Sequence, residues 1–118
     1  MDVLHCSFEL SRETDAKGKP SSGVYGGRIT MEVESTADTS IVEAMVNSQF
    51  KPFEGVVTYK KTDEDAKMKE LSFKNAYLVF YREEIDVTGE RPMYIRFTVS
   101  AEEITMGNAT HVNRWPVA

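Results

Sequence analysis

Residues 92–104 read Pro-Met-Tyr-Ile-Arg-Phe-Thr-Val-Ser-Ala-Glu-Glu-Ile and carry the clearest structural pattern in the chain. Every second side chain is apolar and those between are mostly polar; the apolar set is Met93, Ile95, Phe97, Val99 and Ala101. A period of two places the two sets on opposite faces of an extended backbone. The stretch therefore predicts a β-strand with one face in a core.

Four earlier stretches have weaker versions of this pattern and predict further strands, at 3–12, 28–34, 54–61 and 68–82. The last two flank a short charged turn, so we expect them to form a hairpin. Between Ala76 and Tyr81 both faces of the strand are apolar. Such a run is typical of a strand that is covered on two sides or that carries a bulge, here near Asn75.

One segment has a helical period instead. Ser40 and Glu43 fit a capping box, and Pro52 stops the helical pattern, so a short helix is predicted over 40–49. A chain of 118 residues has material for one core. Five strands and one helix predict a mainly β fold: an antiparallel β-barrel, or a tightly wrapped sheet, with one short flanking α-helix, as a single domain over 1–118.

A long connection separates the first two predicted strands. Residues 14–27 contain four glycines and one proline and show no period that would bury a face. Loops of this length are uncommon in compact domains and usually have a function or are disordered. We therefore expect this segment to make a contact.

The composition argues against several classes of partner. Fourteen basic and nineteen acidic residues give a net charge of −5, the wrong sign for holding phosphates, so we expect no nucleic-acid partner. No apolar stretch reaches the roughly 18 residues of a membrane-spanning helix, and no signal peptide is recognisable, so we expect no membrane insertion. The single cysteine, Cys6, fits synthesis in the cytoplasm.

The sequence contains no recognisable catalytic apparatus. It lacks the glycine-rich phosphate loops, the GxSxG nucleophile motif and the HExxH metal motif. His5 and Cys6 are adjacent on a predicted strand and so point to opposite faces, which prevents joint metal coordination. We therefore expect no catalytic residue, no cofactor and no metal site.

A second charged segment has two interpretations. Asp63, Glu64 and Asp65 are interleaved with lysines that include Lys67, which is typical of a solvated turn. Alternating charges on a loop also offer complementary pairs to a second copy of the chain. These four residues are therefore a candidate subunit contact.

Motifs along the whole chain are more specific than these patterns. They are 14–27, Glu34-Ser-Thr, Glu43-Ala-Met, Tyr59-Lys-Lys, 63–71, Asn75-Ala-Tyr, Pro92-Met, 97–101, Gly107-Asn-Ala, His111 and Arg114-Trp-Pro. Together they resemble the tube protein of type VI secretion systems, in its Bacteroidetes branch, the Hcp-like TssD family. The resemblance runs from about residue 3 to the end.

The resemblance implies a structural protein with no enzymatic activity. It implies a β-barrel with one flanking helix that closes into hexameric rings, and rings that stack into a hollow tube expelled by sheath contraction. The implied partners are other copies of the chain, sheath and spike proteins, and small effector proteins in the lumen. The implied location is the cytoplasm before assembly, then the extracellular space or a target cell, reached without a signal peptide.

The resemblance also assigns a role to the long connection, because in the family an extended loop reaches the adjacent ring. Carried to this chain, the candidate ring-stacking residues are Thr14, Asp15, Lys17, Gly18, Lys19, Pro20, Ser21, Ser22, Gly23, Val24, Tyr25, Gly26 and Gly27.

One feature departs from the family. Its members usually begin with another strand before the segment equivalent to Asp2-Val-Leu, so we expect either that the start of this sequence is placed late or that this member is shortened and lacks that strand. A missing strand would leave unpaired backbone groups on its neighbour. The alternative function is a monomeric ligand-binding β-barrel, although enclosing a ligand takes about eight strands and the sequence predicts five.

Overall fold

The computed structural model describes residues 3–35, 39–60, 67–85 and 93–115. These residues form one antiparallel sheet and one helix. The strands are β1 (Val3–Phe8), β2 (Arg28–Glu34), β3 (Phe53–Lys60), β4 (Lys67–Ile85), β5 (Met93–Met106) and β6 (Ala109–Val112), and the helix is α1 (Ser40–Asn47). The predicted fold class, mainly antiparallel β with one short flanking helix, is confirmed.

The strand predicted most clearly, β5, lies in the middle of the sheet. The order of the strands is β1-β2-β5-β4-β3, and β6 also pairs with β5. One edge of β5 pairs with β2 and further along with β6, while the other edge pairs with β4 over nearly its whole length. The alternating side chains of β5 fill the core together with those of β2 and β4: Ile29, Met31, Val33, Leu71, Phe73, Ala76, Ile95, Phe97, Val99, Ala101 and Ile104.

The sheet curls into a half-barrel. Its outer strands, β1 and β3, approach each other without pairing within the described residues. The Tyr59 hydroxyl on β3 donates a hydrogen bond of 3.8 Å to the Cys6 sulfur on β1. A groove of about 970 Å³ with a mixed polar and apolar lining opens between the two strands, and the apolar part includes Met31, Val33 and Phe97. The concave face of the sheet therefore carries the core, and its polar face is convex.

The expected irregularity near Asn75 is present. Lys74 and Asn75 of β4 lie opposite the single residue Glu54 of β3, so β4 has one extra residue at this point. Asn75 has a φ of +51°. Its side-chain amide donates a hydrogen bond of 3.0 Å to the Glu102 carboxylate on β5. On both β4 and β5 the buried positions are three residues apart here rather than two. Two neighbouring strands therefore bend together, which turns the sheet.

A second register shift lies between Leu78 and Phe80, where β4 pairs with β5. Helix α1 also packs against β4. The apolar run from Ala76 to Tyr81 thus contains a strand irregularity, on a strand that α1 contacts. Val79 and Phe80 nevertheless remain about two-fifths exposed, at 45% and 43%.

Two local predictions were wrong. The helix ends at Asn47, and its N-cap is Thr39 rather than Ser40. The Thr39 carbonyl accepts the first helical hydrogen bond, from the Glu43 amide at 3.0 Å, while the Thr39 hydroxyl donates to the Glu43 carboxylate and caps no backbone amide. The sequence also shows no alternating pattern after Gly107, yet this segment includes β6. A four-residue strand is too short to show a period, and only the turn at Gly107, with φ +60°, signals it.

The bend at Asn75 supplies a test of the fold. A β-branched residue strongly resists a positive φ, so Asn75→Val should lower the free energy of unfolding by about 1–3 kcal/mol. Asn75→Gly keeps the conformation and should cost less than about 1 kcal/mol. Urea unfolding measures both, and Lys74→Val, at an exposed neighbouring position, is the control. If Asn75→Val and Lys74→Val lower the free energy of unfolding equally, the positive φ at Asn75 does not disfavour a β-branched residue.

Candidate functional site: the projecting arm and its base

The connection between β1 and β2, residues 9–27, is an ordered arm. Ser11 and Tyr25 exchange two backbone hydrogen bonds of 2.9 and 2.6 Å, and Thr14 forms a second bridge with Pro20. Nearly all residues of the arm are exposed. The sequence showed no period here because neither face of the arm packs on a core, although the backbone pairs with itself.

The tip of the arm is a turn organised by Asp15. One oxygen of its carboxylate, Oδ1, accepts hydrogen bonds from the backbone amides of Lys17 and Lys19 at 2.9 and 3.0 Å. Gly18 has a φ of +83°, and its amide donates to the Asp15 carbonyl at 3.0 Å. The turn places the exposed Lys17 and Lys19 at the far end of the arm.

The middle of the arm is held by Ser22. Its hydroxyl accepts a hydrogen bond of 2.8 Å from the Glu13 amide, and its carbonyl accepts one of 3.1 Å from Arg12 Nε. The Ser21 amide donates to the Glu13 carbonyl at 2.8 Å. These bonds join the two limbs of the arm, so the arm has a defined shape without a hydrophobic core.

The base of the arm is fixed to the sheet by backbone contacts. The Ala101 amide donates to the Gly27 carbonyl at 2.7 Å, and the Asn113 side chain donates to the Gly26 carbonyl at 2.7 Å. Gly27 is buried with φ +117°, and a Cβ there would lie 2.7 Å from the Ala101 oxygen and closer still to Asn113 Nδ2. These two glycines therefore serve as the anchor and not as exposed contact surface.

Sequence reasoning missed Asn113, which is a central residue of the base. The only sequence signal was the pair of glycines at 26 and 27, because two adjacent glycines mark a close approach of backbones. Nothing in the sequence says which residue approaches them. Leu10, Val24 and Tyr25 lie beside the base and leave apolar surface exposed, at 48%, 44% and 53%.

The other predicted contact is only partly covered by the structure. Asp63, Glu64 and Asp65 lie outside the described residues. Lys67 is the first residue of β4, where its backbone pairs with Lys60 of β3. The proposal that this segment contacts another copy stays a prediction.

The convex face of the sheet is polar and cross-linked. Thr30 and Thr98 share a hydrogen bond of 3.0 Å between their hydroxyls. Arg96 forms an ion pair of 3.2 Å with Glu32, whose side chain is only 6% exposed. Tyr94 and Arg82 both bond to Glu84. The face presents polar side chains that are held in place by hydrogen bonds and ion pairs with their neighbours.

Cys6 and Tyr59 are two titratable groups that contact each other at the groove. Burial raises the pKa of the Cys6 thiol, and the hydrogen bond from Tyr59 lowers it by less. Burial and the contact with Cys6 raise the pKa of Tyr59 to about 12. Both groups are therefore neutral near pH 7, and Cys6 is not activated as a nucleophile. Within the described ranges, no three His, Cys, Asp or Glu side chains lie close enough to share a metal ion.

Gly27 offers a test of the anchor. Gly27→Ala adds a Cβ in a left-handed conformation and against the Ala101 carbonyl, so it should lower the free energy of unfolding by about 2–4 kcal/mol. Gly23→Ala is the matched control, since a Cβ there meets nothing within 4 Å. Thermal unfolding compares the two variants. A stability for Gly27→Ala equal to that of Gly23→Ala would contradict the described packing at the base.

Tyr59 makes stability depend on pH. Its raised pKa means that the folded state keeps a proton that the unfolded state loses, so stability should fall as the pH rises from about 10 to about 12. Tyr59→Phe should show a smaller fall over this window. Urea midpoints at pH 9, 10 and 11 measure it, with Tyr25→Phe at an exposed position as control. If the urea midpoints of the wild type and Tyr59→Phe fall equally with rising pH, the Tyr59 hydroxyl does not cause the pH dependence of stability.

Among the described residues, no helix has the length and apolar character needed to cross a membrane.

Known proteins share both the sequence and the fold. The family model for hemolysin coregulated protein Hcp (TssD) matches residues 1–116, whereas no curated protein sequence matches the chain. Hcp1 from Flavobacterium johnsoniae is 44% identical, with a TM-score of 0.89 over 94% of this chain and 89% of that chain.

More distant structures share the fold alone. An Hcp1 variant from the E. coli EAEC 042 pathovar is 16% identical, with a TM-score of 0.74 over 96% of this chain and 79% of its own. A chain of the PVC sheath-tube complex, from an extracellular contractile injection system, is 15% identical, with a TM-score of 0.55 over 90% and 77%. The family match over nearly the whole sequence is the deciding finding, and the chain belongs to the Hcp (TssD) family, the tube proteins of type VI secretion systems.

Proposed function

We propose that six copies of this chain form a ring and that the rings stack into the inner tube through the arm. Contraction of a surrounding sheath then expels the tube, together with spike proteins at its end and small effector proteins in its lumen. The chain is made in the cytoplasm and then leaves for the extracellular space or a target cell. Its role is structural, with no catalytic residue and no cofactor.

The single observation that carries the stacking proposal is the arm. Its backbone hydrogen bonds lie largely within itself, while its side chains face solvent. The radius of gyration is 16.6 Å, compared with about 13 Å for a compact domain of this length. Ordered structure that extends away from its own core offers a large surface to another molecule.

The position of the arm suits contact between successive rings. It leaves the sheet where β1 ends and β2 begins, so it extends from one end of the strands. Contacts between two different surfaces of identical subunits repeat without limit, which is how rings become a tube. A protrusion at one end that fits a different surface of the next copy is such a contact.

The convex polar face supports the proposal of a hollow tube. Arg28 on this face is exposed, Thr98 and Ser100 are half-buried, and Thr98 shares a hydrogen bond with Thr30. We propose this face as a water-contacting wall of the tube. The net charge of −5 supports the expectation that no nucleic acid is bound.

The two outer strands, β1 and β3, each leave one strand edge at the groove within the described residues. β1 and β3 are separated by four antiparallel pairings, so they run in the same direction. One strand in the groove, antiparallel to both, could pair with each of the two edges. The same groove is the observation that favours the alternative function, a monomeric barrel that binds an apolar ligand.

Shortening the arm tests the stacking proposal. Because Thr14 and Pro20 face each other, the five residues 15–19 can be replaced by Asn-Gly, which makes a two-residue turn. The variant should form rings of about 80 kDa as the wild type does, but stack into tubes at least tenfold less. Sedimentation separates subunits, rings and stacks, and electron microscopy shows their outline.

Asn108→Ala, in the exposed turn between β5 and β6, is the control for this experiment and should stack normally. Unchanged tubes from the shortened variant would remove the arm from its proposed role. A wild-type chain that sediments only as a 13.3 kDa species and retains an apolar guest would favour the ligand-binding alternative.

A further inference from the structure

We infer that Asn113 sets the direction in which the arm leaves the sheet, so that ring stacking depends on a side chain outside the arm. The inference rests on the proposed function of the arm as the stacking contact. Asn113 lies directly after β6, far from the arm in sequence, and it is half-buried at the base of the arm.

Asn113 fills a gap in the edge of β5. Along this edge, β2 pairs as far as Ser100 and β6 pairs from Glu103, so Ala101 and Glu102 face neither strand. Their backbone groups are satisfied at the base of the arm instead. The Ala101 carbonyl accepts from Asn113 Nδ2 at 3.2 Å, and the Glu102 carbonyl accepts from the Asn113 amide at 2.7 Å.

The side-chain amide of Asn113 links this gap to the arm. Its Nδ2 donates both to the Ala101 carbonyl and, at 2.7 Å, to the Gly26 carbonyl, so each of its two hydrogens has an acceptor. Its Oδ1 lies 3.0 Å from His111 Nε2. The opposite orientation of the amide would turn an oxygen towards two carbonyl oxygens, which repel it. The group therefore acts as a donor to β5 and to the arm together.

Gly26 is where both limbs of the arm meet. A Cβ at this position would collide with Leu10 of the outgoing limb and would lie 3.2 Å from the Glu9 carbonyl. Gly26 and Gly27 have little intrinsic backbone preference, so their conformation depends on the contacts around them. Without the Asn113 amide, we expect the arm to keep its internal hydrogen bonds but to pivot at the two glycines.

A pivoting arm should affect stacking far more than folding. Each arm must first be fixed in direction before it can bind, and this ordering lowers the affinity. If six arms act together between two rings, their losses of affinity multiply. A threefold loss of affinity for each arm then lowers the affinity between two rings by roughly several hundredfold. Ring formation does not involve the direction of the arm and should be spared.

The experiment compares Asn113→Ala and Asn113→Asp with the wild type. Asp has nearly the same shape as Asn but cannot donate, and it should behave like Ala or worse because a carboxylate would face two carbonyls. Asn108→Ala, which removes an exposed amide nearby, is the matched control. Sedimentation should show rings from all four proteins, and stacks at least tenfold reduced only in the two Asn113 variants.

A second measurement reports arm direction independently of stacking. Spin labels at Lys17 on the tip and at Lys74 on β4, in a Cys6→Ala background, give a distance distribution when labelled subunits are diluted with unlabelled ones. We expect the distribution to be at least twice as broad in both Asn113 variants and unchanged in Asn108→Ala. A narrow distribution in Asn113→Asp overturns the inference, and so does loss of rings in both Asn113 variants, which would indicate a purely structural role.

The shortened arm from the stacking experiment separates the two proposals. If the shortened variant stacks normally, the proposed function of the arm fails, whatever the Asn113 variants do. If the shortened variant does not stack but the Asn113 variants stack normally, the stacking function stands and the inference about Asn113 is overturned.

Discussion

Strand β5 holds the sheet together because both of its edges are paired with other strands. It lies between β4 on one edge and β2 and β6 on the other, so its hydrogen bonds hold the sheet together across its middle. Its alternating side chains supply the centre of the core. The bend it shares with β4 at Asn75 and Glu102 curls the sheet. Because neither strand can straighten while the other stays bent, the curvature is a property of the pair.

The bend, the base of the arm and the end of β6 meet beside the same two residues of β5. Ala101 and Glu102 fall between β2 and β6, and a buried backbone group without a partner is costly. Gly27 and Asn113 supply those partners. The gap in strand pairing is therefore also the anchor of the arm, which connects the packing of the core to the part of the molecule that we propose reaches the next ring.

The two faces of the sheet differ in a way that suits a building block. The convex face holds ion pairs and hydroxyl bonds between neighbouring strands, while the concave face leaves a groove between β1 and β3. Open strand edges are normally protected, since they pair readily with other chains. In the described residues the contact between Tyr59 and Cys6 joins these edges, and it involves two groups that are neutral near pH 7.

Local patterns in the chain were enough to predict the class of the fold, because the alternation along β2 and β5 and the helical period after Ser40 involve only residues that are close in sequence. They also marked the bulge near Asn75 and the long glycine-rich connection. Only the tertiary structure showed that this connection is a paired arm, that β6 exists, and that Asn113 anchors Gly26. Asn113 is 87 residues from Gly26 in the chain. Contacts over such separations depend on which strands lie side by side, and no local pattern of residues encodes that.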